Sequence, residues 1–402
     1  MTPGALGARL DAATAGLPAP LAVVDLDAFD RNAAALVRRA GGTPVRLATK
    51  SVRVRALVER VHAVPGVSGL MAYSLREALW LVETSPGAAR DVLVAYPCVD
   101  LGALTELCRS PEALARTTLV VDCAEHLELV AAARAAAGDP AQDVRLCLDV
   151  DASLRLGPGR RPWAHLGVRR SPVHTPDDAA VVADGAADTP GVRLVGAMFY
   201  EAQVAGMPDT SAAVRLVKRL SVRDLDRRRA AVVAAVEQRV GPLELVNSGG
   251  TGSVETSVAD PTVTEVAAGS GLYAPGLFDG YRALGVAPAA FFGLDVVRRP
   301  SDRVVTASGG GYVASGPPTA SRQPRPAEPG AFRLARREGA GEVQTPLEVP
   351  RGARAPRVGD RAWFRHAKAG EALERFDVVH LVQGDRVVGT VPTYRGEQQN
   401  FG

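Results

Sequence analysis

The sequence predicts an α/β fold: a parallel (β/α)8 barrel of the TIM type, followed by a second, β-rich domain. Eight short apolar segments alternate with amphipathic helical stretches across roughly 230 residues, the spacing that a ring of strand–helix units requires. The alternative, an open doubly wound sheet, calls for a Gly-x-Gly-x-x-Gly turn after its first strand, and that turn is missing. Past Tyr281 the helical periodicity stops, and short strands bounded by turn residues take over.

Leu21-Ala22-Val23-Val24-Asp25 reads as a strand, and residues 25–40 carry a helical apolar pattern that Gly41-Gly42 ends. The barrel strands are expected at 45–49, 69–72, 92–95, 119–121, 144–150, 192–199, 243–246 and 263–268, with helices at 75–83, 124–136 and 211–240 among those between them. The β-rich part is expected to hold strands at 291–297, 303–306, 361–365, 377–382 and 386–391. Residues 316–357, rich in Pro, Gly, Ala and Arg, read as a long excursion from it.

Composition narrows the function. The chain has 402 residues, 47% hydrophobic and 23% charged, which suits one large domain and a smaller one. The net charge of +3 is small and the basic residues are interleaved with acidic ones, so no nucleic-acid partner is expected. Apolar runs are broken before the ~18 residues of a membrane span, and the first residues lack the basic-then-apolar signature of a signal peptide. Cys98, Cys108, Cys123 and Cys147 show no paired spacing and read as reduced thiols of a cytoplasmic protein.

Lysine is the outlier. Of 47 Lys and Arg residues, only Lys50, Lys218 and Lys368 are lysine. An amine can lose its proton near neutral pH and attack a carbonyl, which guanidinium cannot. Lys218, within Arg215-Leu216-Val217-Lys218-Arg219, reads as a drifted surface residue, whereas Lys50 closes an apolar strand. Barrel active sites lie at the C-terminal strand ends. Those ends read Lys50, Tyr73, Tyr96-Pro97, Asp122, residues 149–155, Tyr200-Glu201, residues 247–252 and Gly269-Ser270.

Ser248-Gly249-Gly250-Thr251-Gly252 follows the seventh strand, where barrels often bind phosphate through backbone N–H groups. Its structural alternative is a plain flexible turn. Arg155 reads either as a surface ion pair or as a cation beside a pyridine nitrogen, which it would keep unprotonated. Tyr200 reads as a ring contact or a core aromatic. An attacking amine, a phosphate cradle and ring-contacting groups point to pyridoxal 5′-phosphate, joined to Lys50 as a Schiff base. Arg53 is placed to lower the Lys50 pKa from its reference near ~10.4.

These residues resemble the fold-type III pyridoxal-phosphate enzymes, the alanine racemase-like barrels, and within them the D-threonine aldolase and D-serine dehydratase group. The likeness rests on Arg46-Leu47-Ala48-Thr49-Lys50, on Asp149-Val150-Asp151-Ala152-Ser153-Leu154-Arg155-Leu156-Gly157, on Ser248-Gly249-Gly250-Thr251-Gly252 and on Gly271-Leu272-Tyr273. It also rests on Gly196-Ala197-Met198-Phe199-Tyr200-Glu201-Ala202-Gln203. The resemblance implies Lys50 as the Schiff-base lysine, Arg155 at the ring, and Ser248, Gly249, Gly250, Thr251 and Tyr273 at the phosphate. It implies Tyr200 near the ring and Gln203 at the substrate.

The resemblance also implies that residues 21–24 belong to the β domain. The division is then a barrel over 27–280 and a β-rich domain from 1–26 and 281–402, in a head-to-tail homodimer.

Aldolases and dehydratases of this group hold a divalent metal with a His and a second ligand two residues later. Here the stretch is Arg365-His366-Ala367-Lys368-Ala369-Gly370-Glu371: His366 matches, but Lys368 stands at the second position. An ammonium cannot ligate a metal and repels one. Either Glu371, Glu374 or another side chain completes a metal site, or the Lys368 ammonium takes the metal's place; mutual repulsion favours the second. A structural strand-end lysine is the third alternative.

The implied activity is cleavage or formation of the Cα–Cβ bond of a D-β-hydroxy-α-amino acid, with Lys50, His366 and Lys368 catalytic. The alternatives are β-elimination of the D-serine dehydratase kind, then racemisation, then a pyridoxal-phosphate-binding protein without turnover.

Overall fold

The computed structural model describes residues 5–157, 162–282, 284–317 and 319–402, which fall into two compact units. One comprises Leu36–Lys50, Val58–Gly269 and Phe401–Gly402. Its strands are Val45–Ala48, Val67–Ala72, Val92–Val94, Thr117–Val121, Val144–Val150, Val192–Phe199, Leu245–Ser248 and Glu265–Ala268. They pair in parallel and in chain order, and Val266 opposite Val45 closes the barrel. All eight expected segments are therefore strands. The seventh sits two residues later than expected, which moves Asn247 and Ser248 out of the loop and into the ladder.

Strands covered on both faces read as continuous apolar runs, which is why the pattern survived in the sequence. Leu93, Ala95, Val120, Cys147, Met198 and Leu245 form one core cluster. Leu36, Ala40, Val45, Val254, Val263, Val266 and Ala268 form another. A polar knot interrupts this interior. Arg46, with only 1% of its side chain exposed, donates from Nε to Glu265 Oε1 at 2.7 Å and from Nη2 to Glu265 Oε2 at 2.8 Å. The same Nη2 reaches Asp91 Oδ2 at 2.6 Å, and Asn247 Nδ2 donates to Glu265 Oε1 at 2.7 Å. Burial alone would lower the Arg46 pKa, but the two carboxylates raise it above its ordinary value. Gly69 makes room for this knot: its φ is +84°, and a Cβ there would lie 2.8 Å from Arg46 Nη1.

The helices begin where short polar side chains can cap them. Ser74 accepts from Glu77 N before Leu75–Thr84, and Ser211 accepts from Val214 N before the long helix Ala212–Val240. Thr175 and Asp178 form a reciprocal capping box at Pro176–Asp188. Lys218, expected as a drifted surface residue, is instead 13% exposed along its side chain and paired with Asp209 at 2.8 Å.

The second unit comprises Met1–Ala35 (described from Ala5), Ser51–Leu57 and Ser270–Asn400. Its main sheet runs Arg333–Leu334, Gln344–Glu348, Val304–Ser308, Ala290–Ser301, Leu21–Asp25, Val378–Gln383, Arg386–Pro392. Arg361–Arg365 also pairs with Ala290–Ser301, and Arg325–Pro326 pairs with Arg361–Arg365. Leu21–Asp25 thus belongs to the β-rich sheet, antiparallel to Ala290–Ser301 and parallel to Val378–Gln383. Its core packs Leu6, Leu10, Leu21, Val23, Phe291, Trp363 and Val382.

One expectation needs correction here. The excursion at 316–357 contains three strands, Arg325–Pro326, Arg333–Leu334 and Gln344–Glu348, although Pro318 lies outside the described residues. Edge strands of two to five residues are too short to show a period above their Pro and Gly neighbours. Arg53 forms an ion pair with Glu374 at 2.7 Å.

Candidate active site

The first barrel strand stops at Ala48, and one 3-10 turn, Thr49–Ser51, presents Lys50. Thr49 Oγ1 ties that turn to the second strand by donating to Met71 O at 3.0 Å. Lys50 Nζ donates to Tyr96 Oη at 2.8 Å, just past the third strand. The Arg170 guanidinium carbon lies 5.8 Å from the ring centres of both Tyr96 and Tyr200. Burial pushes the Tyr96 phenol up, but Lys50 and Arg170 outweigh it and bring the pKa below its usual value. At Tyr200 burial wins and the pKa is raised, although the Lys50 charge opposes it. Lys50, Tyr96, Arg170 and Tyr200 therefore form one cluster at the C-terminal strand ends.

Asp149 ends the same ring of polar groups. Burial and the neighbouring charge of Asp122 push its pKa up to about 7, against the pull of Arg170. Asp149 holds its proton in the folded chain at pH values where an unfolded Asp, with a pKa of about 3.9, has lost it. Its contribution to stability is full below pH 4 and is lost as pH rises through 7. Asp149→Asn is expected to remove this slope. Between pH 5 and pH 8 the parent chain should lose about 2–3 kcal/mol relative to the variant, by 1.36 kcal/mol per unit. Urea unfolding at both pH values checks this, and parallel losses in the two proteins would contradict it.

The glycine-rich loop is partly spoken for. Ser248 Oγ donates within 3.0 Å of Glu201 Oε2 and Phe199 O, Gly249 N donates to Glu201 Oε2 at 3.2 Å, and Ser257 Oγ donates to Glu201 Oε1 at 2.5 Å. Arg229 Nη2 reaches Ser248 Oγ at 3.1 Å, and Arg229 also pairs with Asp260. Ser248 Oγ and Gly249 N–H, in the loop expected to hold a phosphate, are both bonded to Glu201. Thr251 is buried, and its carbonyl accepts from Arg39 Nη2 at 2.6 Å.

Arg155 lies in the hairpin Leu154–Leu156 with Ala164–Leu166, and pairs with Asp151 Oδ2 at 2.5 Å. Burial would raise the Asp151 pKa, but hydrogen bonds from His174, Ser153 and Arg155 hold it well below the usual range. Gln203 is buried. Its Nε2 donates to Ala152 O at 2.7 Å, while its Oε1 has no hydrogen-bond partner among the described residues.

In the β-rich unit, Tyr273 is buried and its hydroxyl donates to Val52 O at 2.9 Å. His366 Nδ1 lies 2.7 Å from Lys368 O and 3.2 Å from Lys368 N, so the backbone of that residue holds the imidazole in place. Burial lowers the His366 pKa against the backbone carbonyls of Lys368 and Tyr312 and the charge of Glu371. Lys368 Nζ donates to Ser315 Oγ at 2.7 Å and sits 3.4 Å from Glu371 Oε1, whose carboxylate also binds Ser315 N at 2.8 Å. His366, Lys368, Tyr273 and Phe376 line a cavity of about 30 Å³ within this unit, room for about one water.

The sequence profile of the alanine racemase N-terminal domain matches residues 24–275. The chain belongs to that family. It is a family of fold-type III pyridoxal-phosphate enzymes, and the eight-stranded barrel with its added β-rich domain is the family's fold. D-threonine aldolase from Filomicrobium marinum superposes with a TM-score of 0.78 at 21% identity, covering 94% of this chain and 96% of that one. D-threo-3-hydroxyaspartate dehydratase from Delftia sp. HT23 gives 0.70 at 20% identity, covering 94% and 98%. The alanine racemase of Clostridium difficile 630 gives 0.64 at 12% identity, covering 94% and 99%. At these identities the likeness is one of fold. No curated protein matches by sequence.

The barrel residues fit the family's cofactor. Gly249 has φ +98°, and a Cβ on Gly250 would lie 2.8 Å from Ala205 Cβ and 3.4 Å from the Tyr200 ring, so the loop admits an anion only as bare backbone. The surroundings of His366 bear on a metal there. The neighbouring Lys368 supplies an ammonium, Glu371 is bound to Ser315, and Glu374 is bound to Arg53. Tyr96 stood in the sequence as a strand-end residue without a role, and Arg170, Glu201 and Arg229 had none either. The one available signal was position: Glu201 directly follows strand six, and Arg170 follows the hairpin that carries Arg155.

Proposed function

We propose that this chain is a pyridoxal-phosphate-dependent lyase that cleaves, or forms, the Cα–Cβ bond of small D-β-hydroxy-α-amino acids. The observation that carries the reading is His366, a buried imidazole held by the Lys368 backbone, whose pKa burial lowers. Such a group is neutral at pH 7, and its unprotonated ring nitrogen can take the proton of a β-hydroxyl, the step that starts retro-aldol cleavage to glycine and an aldehyde. When bound, pyridoxal phosphate supplies the electron sink at the substrate's Cα.

Lys50 supplies the amine that holds the cofactor, and Tyr96 accepts a hydrogen bond from that amine. Tyr200 and Arg155 are assigned to its ring, Ser248, Gly249, Gly250 and Thr251 with Tyr273 to its phosphate, and Gln203 to the substrate. The Glu201 bonds give Ser248 and Gly249 a share in holding the loop's shape as well. The Lys368 ammonium, held by Ser315 and Glu371, contacts the substrate's oxygen in place of a metal. The reading divides the chain into a barrel over 27–280 and a β-rich domain from 1–26 and 281–402 that carries His366 and Lys368. It takes the protein as a homodimer of the cytoplasm, in keeping with four free cysteines.

A second reading, β-elimination, draws on Lys368 as an acid that protonates a departing hydroxyl. Incubation with D-threonine and D-phenylserine separates the two, since aldehyde supports the lyase and α-keto acid the dehydratase. Formation of neither sinks both. His366→Asn is expected to lower aldehyde formation at least about 10²-fold, while borohydride still traps the cofactor on Lys50. Because the base must be neutral, kcat/KM should rise with pH through a pKa below 6.5 and be level by pH 7.

A further inference from the structure

The fourth barrel strand, Thr117–Val121, passes almost directly into the helix Ala124–Ala136. Asp122 and Cys123 bridge the two, and His126 stands in the helix's first turn. His126 Nδ1 lies 3.2 Å from Asp122 Oδ1 and 3.3 Å from Cys123 Sγ, and the three atoms fall within 4.8 Å of one another. A tetrahedral zinc-type ion, with bonds of about 2.0 Å to N and O and about 2.3 Å to S, spaces its ligands roughly 3.3–3.6 Å apart. The turn already has nearly that edge length.

We propose that Asp122, Cys123 and His126 bind a divalent ion of the zinc class, with water completing its coordination. The mixed oxygen, sulfur and nitrogen set suits a borderline ion and not magnesium or calcium. Asp122 N points at His126 Nδ1 from 3.3 Å, so a neutral imidazole keeps its proton on Nε2 and turns the Nδ1 lone pair inward. A carboxylate oxygen, that lone pair and a sulfur then face one another, an arrangement that calls for a cation or a proton between them.

Capping does not account for the thiol, which instead faces the side chains of Asp122, Glu125 and His126. Ser74, Asp100, Ser110, Thr175 and Ser211 all cap their helices through the side chain, whereas Cys123 at the same position makes no cap bond. The helix dipole disfavours a cation at this end by a fraction of a charge, but Asp122 and Cys123, once both are deprotonated on binding, supply two negative charges. On binding, the thiol releases its proton to solvent. This site is separate from His366 in sequence and in ligand set.

The test uses the full, cofactor-loaded chain stripped of metal by chelation. Cobalt(II) is expected to give a near-ultraviolet thiolate-to-cobalt band that saturates at one ion per chain and is reversed by zinc. Cys123→Ser should abolish the band, and His126→Ala should weaken binding by at least about tenfold. His366→Ala should leave both unchanged. The proposal is overturned if stoichiometric cobalt gives no band in the parent chain, if the band survives Cys123→Ser, or if His366→Ala removes it.

Discussion

Lys50→Arg is expected to lower turnover at least about 10³-fold, roughly 4 kcal/mol in the barrier, while leaving the fold intact. Arginine keeps the positive charge and can still donate to Tyr96 Oη, so the electrostatics of the cluster change little. What disappears is an amine able to lose its proton and bond to a carbonyl carbon. The corresponding spectroscopic change is loss of the borohydride-trapped adduct on this peptide, read by mass spectrometry. Lys218→Arg, which only exchanges one cation for another beside Asp209, serves as the control and should stay within about twofold. A Lys50→Arg chain that retains a tenth of parental activity would overturn the assignment of the holding amine.

The largest effect on stability is expected at Arg46. Arg46→Met should cost about 3–5 kcal/mol, measured as a shift in the urea midpoint, because it strands Glu265 in the barrel with only Asn247 as a donor. The loss comes from the orphaned carboxylate more than from the missing attraction, so Arg46→Met combined with Glu265→Leu should recover much of it. Arg193 offers a contrast. It also pairs with a glutamate, Glu244, but its side chain is 53% exposed, and Arg193→Ala should cost no more than about 1 kcal/mol. Equal costs at the two arginines would show that burial does not govern the barrel knot.

Parts of this molecule were plain in the sequence because a single local cause produced them. The barrel strands are buried on both sides, so each appears as an apolar run whatever its neighbours do. Lys50 was visible because the chain writes arginine nearly everywhere else. Arg170 was hidden for the same reason: as one arginine among many, it acquires meaning only when Tyr96 and Tyr200, from different strands, arrive on either side of it. Glu201 was hidden because a carboxylate beside an anion loop runs against simple electrostatics. Its task, gathering Ser248, Gly249 and Ser257, is a matter of shape. The short edge strands within 316–357 and the helix Ala5–Ala13 depend on docking to a sheet, which no window of sequence records.

The scarcity of lysine also defines how the protein meets amine-reactive reagents. Its side-chain amines number three, and each has an oxygen acceptor: Tyr96 for Lys50, Asp209 for Lys218, and Ser315 with Glu371 for Lys368. An acylating or crosslinking probe therefore meets few side-chain targets, and any side-chain amine modification is reported at one of three addresses. Occupancy of the Lys50 address becomes a direct gauge of how much of a preparation carries its cofactor, because an amine already in covalent use cannot be labelled.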